Sequence, residues 1–480
     1  MFHRIGVLEV NAKLTLNLLV TSFFLTFVDF YANFVTKMKK FFIAALAMIS
    51  AATLKAEGYQ INTLSARQLG MGHTGTALKL GAENMIFNPA GLAFSDKTLD
   101  ITASVTGIKA LASADYEGST YHTQNGLSTP MAINAAFRIY DNLSAGISFY
   151  TPYGSAINWT RDWPGAVLSQ KVNLKTFTLQ PTVSWRIIPG LSVGAGMMIT
   201  WGNVKLDKAL ISGKSYNSVA SMLQMPTLND IDAAASVNLT GSSQVSLGAN
   251  VGVMYDIDKR WTVGASFRTE MRMTVKAGEA AVDYATDEAR RLLESKIGLI
   301  HKANFKASMP APYVLNIGVA YKPIDRLQLA FDAQLTGWGV YKDLNIEFPD
   351  HLSAFDQHIV KDYKNSWCFK LGGEFALTRR FDVRAGLMVD TSPVNKDHYN
   401  PETPGMTKIE PTVGFSFRPV DRLSIDVAFM YIAGLGADNA SCDYDDLLFK
   451  SLGRPDYTKT FTADYHVHAF APSIGIRYAF

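Results

Sequence analysis

Charged side chains recur at every second position along parts of this chain: Asp382, Arg384 and Asp390; Lys370 and Glu374; Arg268, Glu270 and Arg272. Carboxylates and guanidiniums in such rows can do acid–base work, hold a metal or pair with one another, and pairing is the usual fate of charge taken out of water. Arg161 stands between Trp159 and Trp163, a spacing that suits a cation–π contact. A hydrolase would need a nucleophile, a base and an orienting group within hydrogen-bond reach, and the nine histidines form no recognisable motif of that kind. His466 and His468 alone would leave a zinc site incomplete.

The rows make sense once the elements that carry them are identified. In the stretch Phe381–Asp390, Phe381, Val383, Ala385, Leu387 and Val389 share one parity while Asp382, Arg384 and Asp390 share the other. Trp261, Val263, Ala265 and Phe267 oppose Arg268, Glu270 and Arg272, and Phe369, Leu371 and Phe375 oppose Lys370 and Glu374. Alternation of period two means strands with one apolar face. A charge facing lipid at the membrane midplane costs about 2 to 4 kcal/mol, so the charged faces, with Asp332, Glu410 and Asp426, are expected to line the inside of a barrel and to pair there or with a plug.

Short polar or Gly/Pro connections follow the same logic. Tyr140-Asp141-Asn142, Pro189-Gly190, Asp258-Lys259-Arg260, Ile324-Asp325-Arg326, Thr378-Arg379-Arg380 and Val420-Asp421-Arg422 each lie between alternating segments, as tight hairpins do. With short turns on one side and long loops on the other, these join twelve strands, and one strand at either end completes an all-β membrane protein, a 14-stranded antiparallel transmembrane β-barrel. Strand starts are expected near Leu99, Met131, Leu143, Val172, Leu191, Val245, Trp261, Tyr313, Leu327, Trp367, Phe381, Ile409, Leu423 and His466. The last strand places Phe470, Ile474, Ile476, Tyr478 and Phe480 on one face. A terminal aromatic on a final strand is similar to the signal by which bacterial outer-membrane barrels are recognised for insertion.

The chain has 480 residues, 48% hydrophobic and 18% charged, and beyond residue 56 no apolar run approaches the roughly 20 residues of a membrane-spanning helix. Met38-Lys39-Lys40, the apolar run from Phe41 to Ala52 and Ala56 read as a signal peptide over 38–56, with 1–37 an over-extended N-terminus or, as the alternative, a signal anchor. Residues 1–56 hold six of the 45 Lys/Arg and two of the 42 Asp/Glu, which leaves 39 against 40 and a formal charge of −1. No polybasic face invites nucleic acid. Cys368 and Cys442 could pair or stay free.

Residues 57–97, ahead of a barrel over 98–480, lack strand alternation and are expected to form a hatch that plugs the pore. Gly58-Tyr59-Gln60-Ile61-Asn62, Leu69-Gly70-Met71-Gly72-His73-Thr74-Gly75 and Asn88-Pro89-Ala90-Gly91-Leu92 resemble the N-terminal hatch of the FadL/TodX long-chain fatty acid and hydrocarbon transporters, with the motif Asn88, Pro89, Ala90. Arg161-Asp162-Trp163-Pro164-Gly165 leading to Lys175-Thr176-Phe177, and Asp325-Arg326-Leu327 followed by Thr336-Gly337-Trp338, are similar to further stretches of that family. The resemblance implies a passive conduit, with capture in an outer groove, an internal pocket and lateral exit at a kink in the third strand. No enzyme activity and no cofactor is implied. The implied partners are hydrophobic small molecules, outer-membrane lipid and lipopolysaccharide, and the barrel-insertion machinery; a monomer is expected, in the bacterial outer membrane.

The residues suggest where that route would run. Pro152, with Gly154, should interrupt the third strand, since proline cannot donate to the ladder, although it could merely end the strand at the rim. Helix-like stretches in the connections Leu206–Gln244 and Lys276–Pro312 carry Met222 and Leu223 in one and Leu292, Leu293 and Ile297 in the other, candidates for the outer groove or for covering each other. For an acidic head group, Arg161 with Trp163, and Lys175, are the candidate donors; an arginine in that setting could equally contact lipopolysaccharide. A general porin, an outer-membrane hydrolase and a structural or adhesive barrel are the competing readings.

Overall fold

The computed structural model describes residues 58–298 and 301–480. The expected signal peptide over 38–56, the expected over-extended N-terminus over 1–37 and Glu57 lie outside the described residues.

The wall is a closed antiparallel barrel of 14 strands: β1 (Leu99–Thr106), β2 (Met131–Tyr140), β3 (Leu143–Tyr150, resuming as Gly154–Asn158), β4 (Lys171–Ile188), β5 (Leu191–Ser212), β6 (Ser246–Asp256) and β7 (Trp261–Arg268). Then follow β8 (Val314–Ile324), β9 (Leu327–Thr336), β10 (Ser366–Ala376), β11 (Phe381–Asp390), β12 (Lys408–Val420), β13 (Leu423–Gly434) and β14 (Thr458–Ala479). Each pairs with its sequence neighbour, and β1 closes the cylinder by pairing with β14 from Asp100↔Ala479 to Thr106↔Ser473. Closure leaves no free edge, which hydrocarbon requires because it offers no partner to an open N–H or C=O.

The strand starts expected at Leu99, Met131, Leu143, Leu191, Trp261, Leu327, Phe381 and Leu423 are the observed ones, and those at Val172, Val245, Tyr313, Trp367 and Ile409 are one residue away, whereas the last strand begins at Thr458, well before the expected His466. The outward faces form the apolar belt: Ile133, Ile147, Val183, Val253, Ile317, Val383, Val413, Ile474 and Ile476 are exposed, while Asp332, Lys370, Asp382, Arg384, Glu410 and Asp426 are buried inside.

The wall extends further than the sequence suggests. The connections read as helix-bearing loops are mostly strand: Ala233–Ser242 precedes β6, Met271–Tyr284 follows β7 and Lys302–Ala311 precedes β8, with short helices only at Gly213–Ala220 and Asp287–Ile297. Above the membrane the exterior faces water and the inside becomes apolar, so the in/out pattern inverts. Between Arg268 and Met271 the parity slips by one residue: Met271, Met273 and Val275 turn inward. Arg272, expected in the lumen, instead lies outside against Glu270 at 3.7 Å.

Residues 58–97 fill the lower half of the lumen as turns and short helices at Ala66–Leu69, Gly81–Glu83, Asn84–Phe87 and Pro89–Phe94. The seating is close. A Cβ on Gly386 would stand 2.1 Å from the backbone nitrogen of Gly72, and one on Gly372 2.1 Å from the carbonyl oxygen of Met71, so glycine lets hatch and wall backbones touch.

Candidate functional site

Inward carboxylates of the wall receive the hatch's donors. Asp332 Oδ2 accepts from the backbone nitrogens of Gly75 (2.7 Å) and Thr76 (3.0 Å) and from Thr76 Oγ1 (2.9 Å). Asp100 Oδ2 accepts from the Ala82 nitrogen at 2.9 Å and pairs with Arg477. Arg67 of the hatch binds Glu374 at 3.1 Å, which also binds Arg384 at 2.6 Å, and Arg384 reaches Asp426 at 3.2 Å. Thus the lumen charges pair with one another and with the plug. Within the hatch, Glu83 accepts from Ser65 Oγ at 2.9 Å, yet its carboxyl is raised to about 7, first by burial and next by the nearby Asp426.

The Asn88-Pro89-Ala90 turn is clamped from both sides. Asn88 Oδ1 accepts from the Ala90 nitrogen at 3.1 Å as an N-cap, while its Nδ2 donates to the carbonyls of Thr76 (2.7 Å) and of Val253 in β6 (3.0 Å). The Ala90 carbonyl takes hydroxyl donors from Ser184 (3.0 Å) and Ser192 (2.7 Å) of β4 and β5.

Above the hatch the interior is apolar. One pocket, partly open to solvent, spans about 580 Å³ between wall residues such as Leu174, Leu206, Met273 and Phe305 and the hairpin residues Leu344 and Ile346. A second, of about 460 Å³, shares Leu239 with it and is bounded by Val282, Phe348 and Phe355, with Gln357 as a polar member. Lys208 Nζ donates to Gln357 Oε1 at 2.7 Å. Below lies a polar chamber of about 410 Å³ between hatch and wall, lined among others by Gln60, His73, Arg268, Asp332 and Lys370. An aromatic cluster belongs to neither lining: Tyr59 of the hatch packs edge-on to Trp338 at 4.7 Å and to Tyr153 and Tyr341, each at 6.1 Å, and its hydroxyl donates to the carbonyl of Pro310.

The third strand breaks beside this cluster. Tyr150 pairs with Thr178 but Gly154 pairs with Lys175, so Thr151–Tyr153 hold one residue more than the facing stretch of β4, a bulge. The hatch supplies the missing partner on the other side. The Ile61 nitrogen donates to the Pro152 carbonyl at 2.9 Å and the Gly154 nitrogen to the Tyr59 carbonyl at 2.9 Å, an antiparallel bridge between Gln60 and Tyr153. Backbone of the plug therefore occupies an interruption in the wall.

The sequence pattern of the outer membrane protein transport proteins (OMPP1/FadL/TodX) matches residues 46–480. The chain belongs to that family. It is 22% identical over 419 residues to the long-chain fatty acid transport protein of Escherichia coli K12, covering 81% of this chain and 90% of that one. Outer membrane protein P1 of Haemophilus influenzae is 21% identical over 434 residues, with 83% and 91% covered. In fold, a Pseudomonas aeruginosa FadL homologue superposes with a TM-score of 0.72 at 19% identity, covering 88% of this chain and 100% of that one. The Pseudomonas putida toluene transporter TodX gives 0.63 at 14%, covering 89% and 99%. Like the family, the protein resides in the outer membrane and serves transport.

In this FadL/TodX member the residues singled out from sequence do not all converge. Asn88, Pro89 and Ala90 clamp hatch to wall, and Pro152 and Gly154 flank the strand interruption. Arg161 lies on the outside, its side chain 73% exposed and paired with Asp283 at 3.4 Å, and Lys175 is exposed on β4. Trp163 is buried but stacks on Trp159 at 4.6 Å and donates to the Ser169 carbonyl at 2.8 Å, away from both apolar cavities. Arginine and tryptophan are neighbours in sequence only, because the chain there leaves the wall and turns the cation to water. Cations facing an internal space are Arg268 and Lys370 instead.

The outer groove is likewise not shared. Met222 is 78% exposed in the turn after Gly213–Ala220, with Leu223 also exposed, whereas Leu292 and Leu293 are buried and Ile297 half-buried against the apolar core of the upper barrel. Cavity residues such as Met273 and Phe305 went unread in sequence; their alternating apolar signal was present at Met271, Met273 and Val275 but masked by the parity slip. His466 and His468 point outward, against Asp115 (3.4 Å) and Tyr431 (3.1 Å). Cys368 and Cys442 are both buried and are not bonded to each other.

Proposed function

We propose that the chain gives passive passage to hydrophobic small molecules, long-chain fatty acids or hydrocarbons, through a barrel over 98–480 closed by a hatch over 57–97. Entry is from the outside into the apolar upper cavities; exit is sideways at Pro152–Gly154 once Tyr59–Ile61 withdraw. What carries this reading is the pairing of two features: an apolar space of about 580 Å³ and, beneath it, a gap in the wall filled by the plug's own backbone. A space with almost no donors holds a ligand chiefly by area removed from water, worth roughly 25 cal/mol per Å². No bond chemistry is part of the route, so the protein acts as a conduit and not as an enzyme. Long-chain fatty acid transport in the E. coli relative supports the ligand class. Lys175, outside and next to the aromatic pair Phe177–Trp201, fits a lipopolysaccharide contact.

The test is uptake of labelled hexadecanoic acid and hexadecane by a deletion strain carrying the gene. Ala307→Trp, which fills the cavity, should lower both about tenfold while the barrel still inserts; undiminished uptake would remove the cavity from the route. Large steady currents from the wild type in planar bilayers would favour a general porin instead.

A further inference from the structure

Four of the six tight hairpins end on an arginine. Arg260, Arg326, Arg380 and Arg422 each stand immediately before the first residue of the next strand, Trp261 of β7, Leu327 of β9, Phe381 of β11 and Leu423 of β13. Successive turns at that end of the barrel lie two strands apart, roughly 10 Å at the usual strand spacing, so the four arginines form an arc along one side of the rim, from β6 to β13. With Lys259 and Arg379 the four turns hold six cations and three carboxylates, a formal charge of +3. The other two turns, Tyr140-Asp141-Asn142 and Pro189-Gly190, carry no cation.

The six cations are left available. All are exposed, and among the described residues none has a carboxylate oxygen within 4.0 Å. Two of the three turn carboxylates are spent elsewhere: Asp258 Oδ1 accepts from the backbone nitrogens of Arg260 (2.7 Å) and Trp261 (2.8 Å), and Asp325 pairs with Lys322 at 3.7 Å. Arg326 is held against the next turn, its Nε donating to the Ala376 carbonyl at 2.8 Å and its Nη2 to that of Leu377. On the β2–β5 side the rim cations Arg138 and Arg186 turn instead onto Asp141, through its carboxylate at 3.8 Å and its carbonyl at 2.6 Å.

The rings below set the depth of the arc. The Arg326 guanidinium stands over Phe375 at 5.5 Å and that of Arg422 over Phe480 at 5.7 Å. Trp261 stacks on Tyr321 at 4.1 Å and Phe381 on Phe417 at 5.0 Å. These aromatics share the outward parity of the apolar belt, and Phe480 is exposed at its edge. Aromatic girdles mark the level of the lipid head groups, and the short turns of outer-membrane barrels face the periplasm, where the leaflet is phospholipid. A cation resting on a girdle ring therefore lies beside lipid.

We propose that this arc is a binding surface for anionic phospholipid: phosphodiester head groups are held by Arg260, Arg326, Arg380 and Arg422 while the acyl chains lie along the apolar belt. Arginine suits the task, because its planar fork matches two phosphate oxygens and its charge is permanent. A zwitterionic head group brings its own ammonium, which the arc repels. Neighbouring arginines stand about one Debye length apart at physiological salt, so each acts mainly on its own lipid and the preference grows with their number. The β2–β5 side, where the third strand is interrupted, is left to uncharged lipid. The inference rests on residence in the outer membrane and stands whatever the conduit carries.

The test is native mass spectrometry of the detergent-solubilised full chain with equimolar dioleoyl-phosphatidylglycerol and dioleoyl-phosphatidylethanolamine. Wild type should retain the anionic lipid about tenfold over the zwitterionic one. Arg260→Gln, Arg326→Gln, Arg380→Gln and Arg422→Gln combined should bring the two within twofold, whereas Lys171→Gln, Lys175→Gln and Lys205→Gln combined, exposed cations of β4 and β5 on the loop side, should leave the preference as it was. No preference in the wild type, or an equal loss in both variants, overturns the arc. A preference that survives the fourfold change ends the proposal too and leaves the arc to an acidic soluble partner. Should the fourfold variant not fold, Arg380→Gln alone decides: the preference should fall about twofold, and an unchanged ratio refutes the site.

Discussion

The lower and upper halves of the lumen are built on opposite principles. Below, wall and hatch meet through directed bonds: Arg67 to Glu374, Gly75 and Thr76 to Asp332, Ala82 to Asp100. Above, Met273, Phe305, Leu344 and Ile346 surround open volume with almost no donors. Directed bonds fix one position of the plug, because each works only at its own distance and angle. Apolar surface accepts many shapes, because burial is non-directional. A conduit with a defined closed state and broad acceptance needs both, stacked in that order.

Breaking the directed half should have the largest effect. Arg384→Ala leaves Glu374, Asp382 and Asp426 as buried carboxylates around a hole, a loss of about 3 to 5 kcal/mol for a buried network missing one partner. Its unfolding midpoint should fall and planar-bilayer conductance should rise as the hatch unseats; a silent, equally stable variant would show that the network does not hold the plug.

A smaller effect should be seen with pH. Since Glu83 titrates at about 7 in the fold against 4.5 when free, the native state binds more protons between those values, and stability falls as pH rises through that window and then levels off. The span is on the order of 3 kcal/mol by the linkage of 1.36 kcal/mol per pKa unit. Glu83→Gln should flatten the profile of unfolding midpoint against pH from 4.5 to 7; a wild-type profile already flat there contradicts the assignment.

The smallest change is expected outside either half. Arg161→Ala removes an exposed ion pair with Asp283 at 3.4 Å, worth at most about 1 kcal/mol. Affinity for an acid and for an alkane should both stay within twofold; a selective loss for the acid would return Arg161 to head-group recognition.

Legibility tracked the solvent. Between β1 and β14 the sequence alternates because lipid lies on one side and polar lumen on the other, so parity alone separated Val383 from Arg384 and located most turns. Above the membrane water replaces lipid, the pattern inverts, and bulges such as the one before Met271 shift the parity; Ala233–Ser242 and Lys302–Ala311 therefore read as loop. Helical spacing in Leu292 and Leu293 was real, but which surface it covers depends on strands far away in sequence.

By itself the chain determined a barrel with apolar outside and charged inside, its strand number and its plug, because a two-residue period and the cost of charge in lipid permit little else. Tertiary structure alone decided which charges meet. Arg67 and Glu374 lie 307 residues apart, and Arg268, Lys370 and His73 come from β7, β10 and the hatch. No local spacing encodes that meeting: it arises when the sheet closes on itself and brings distant strands around one space.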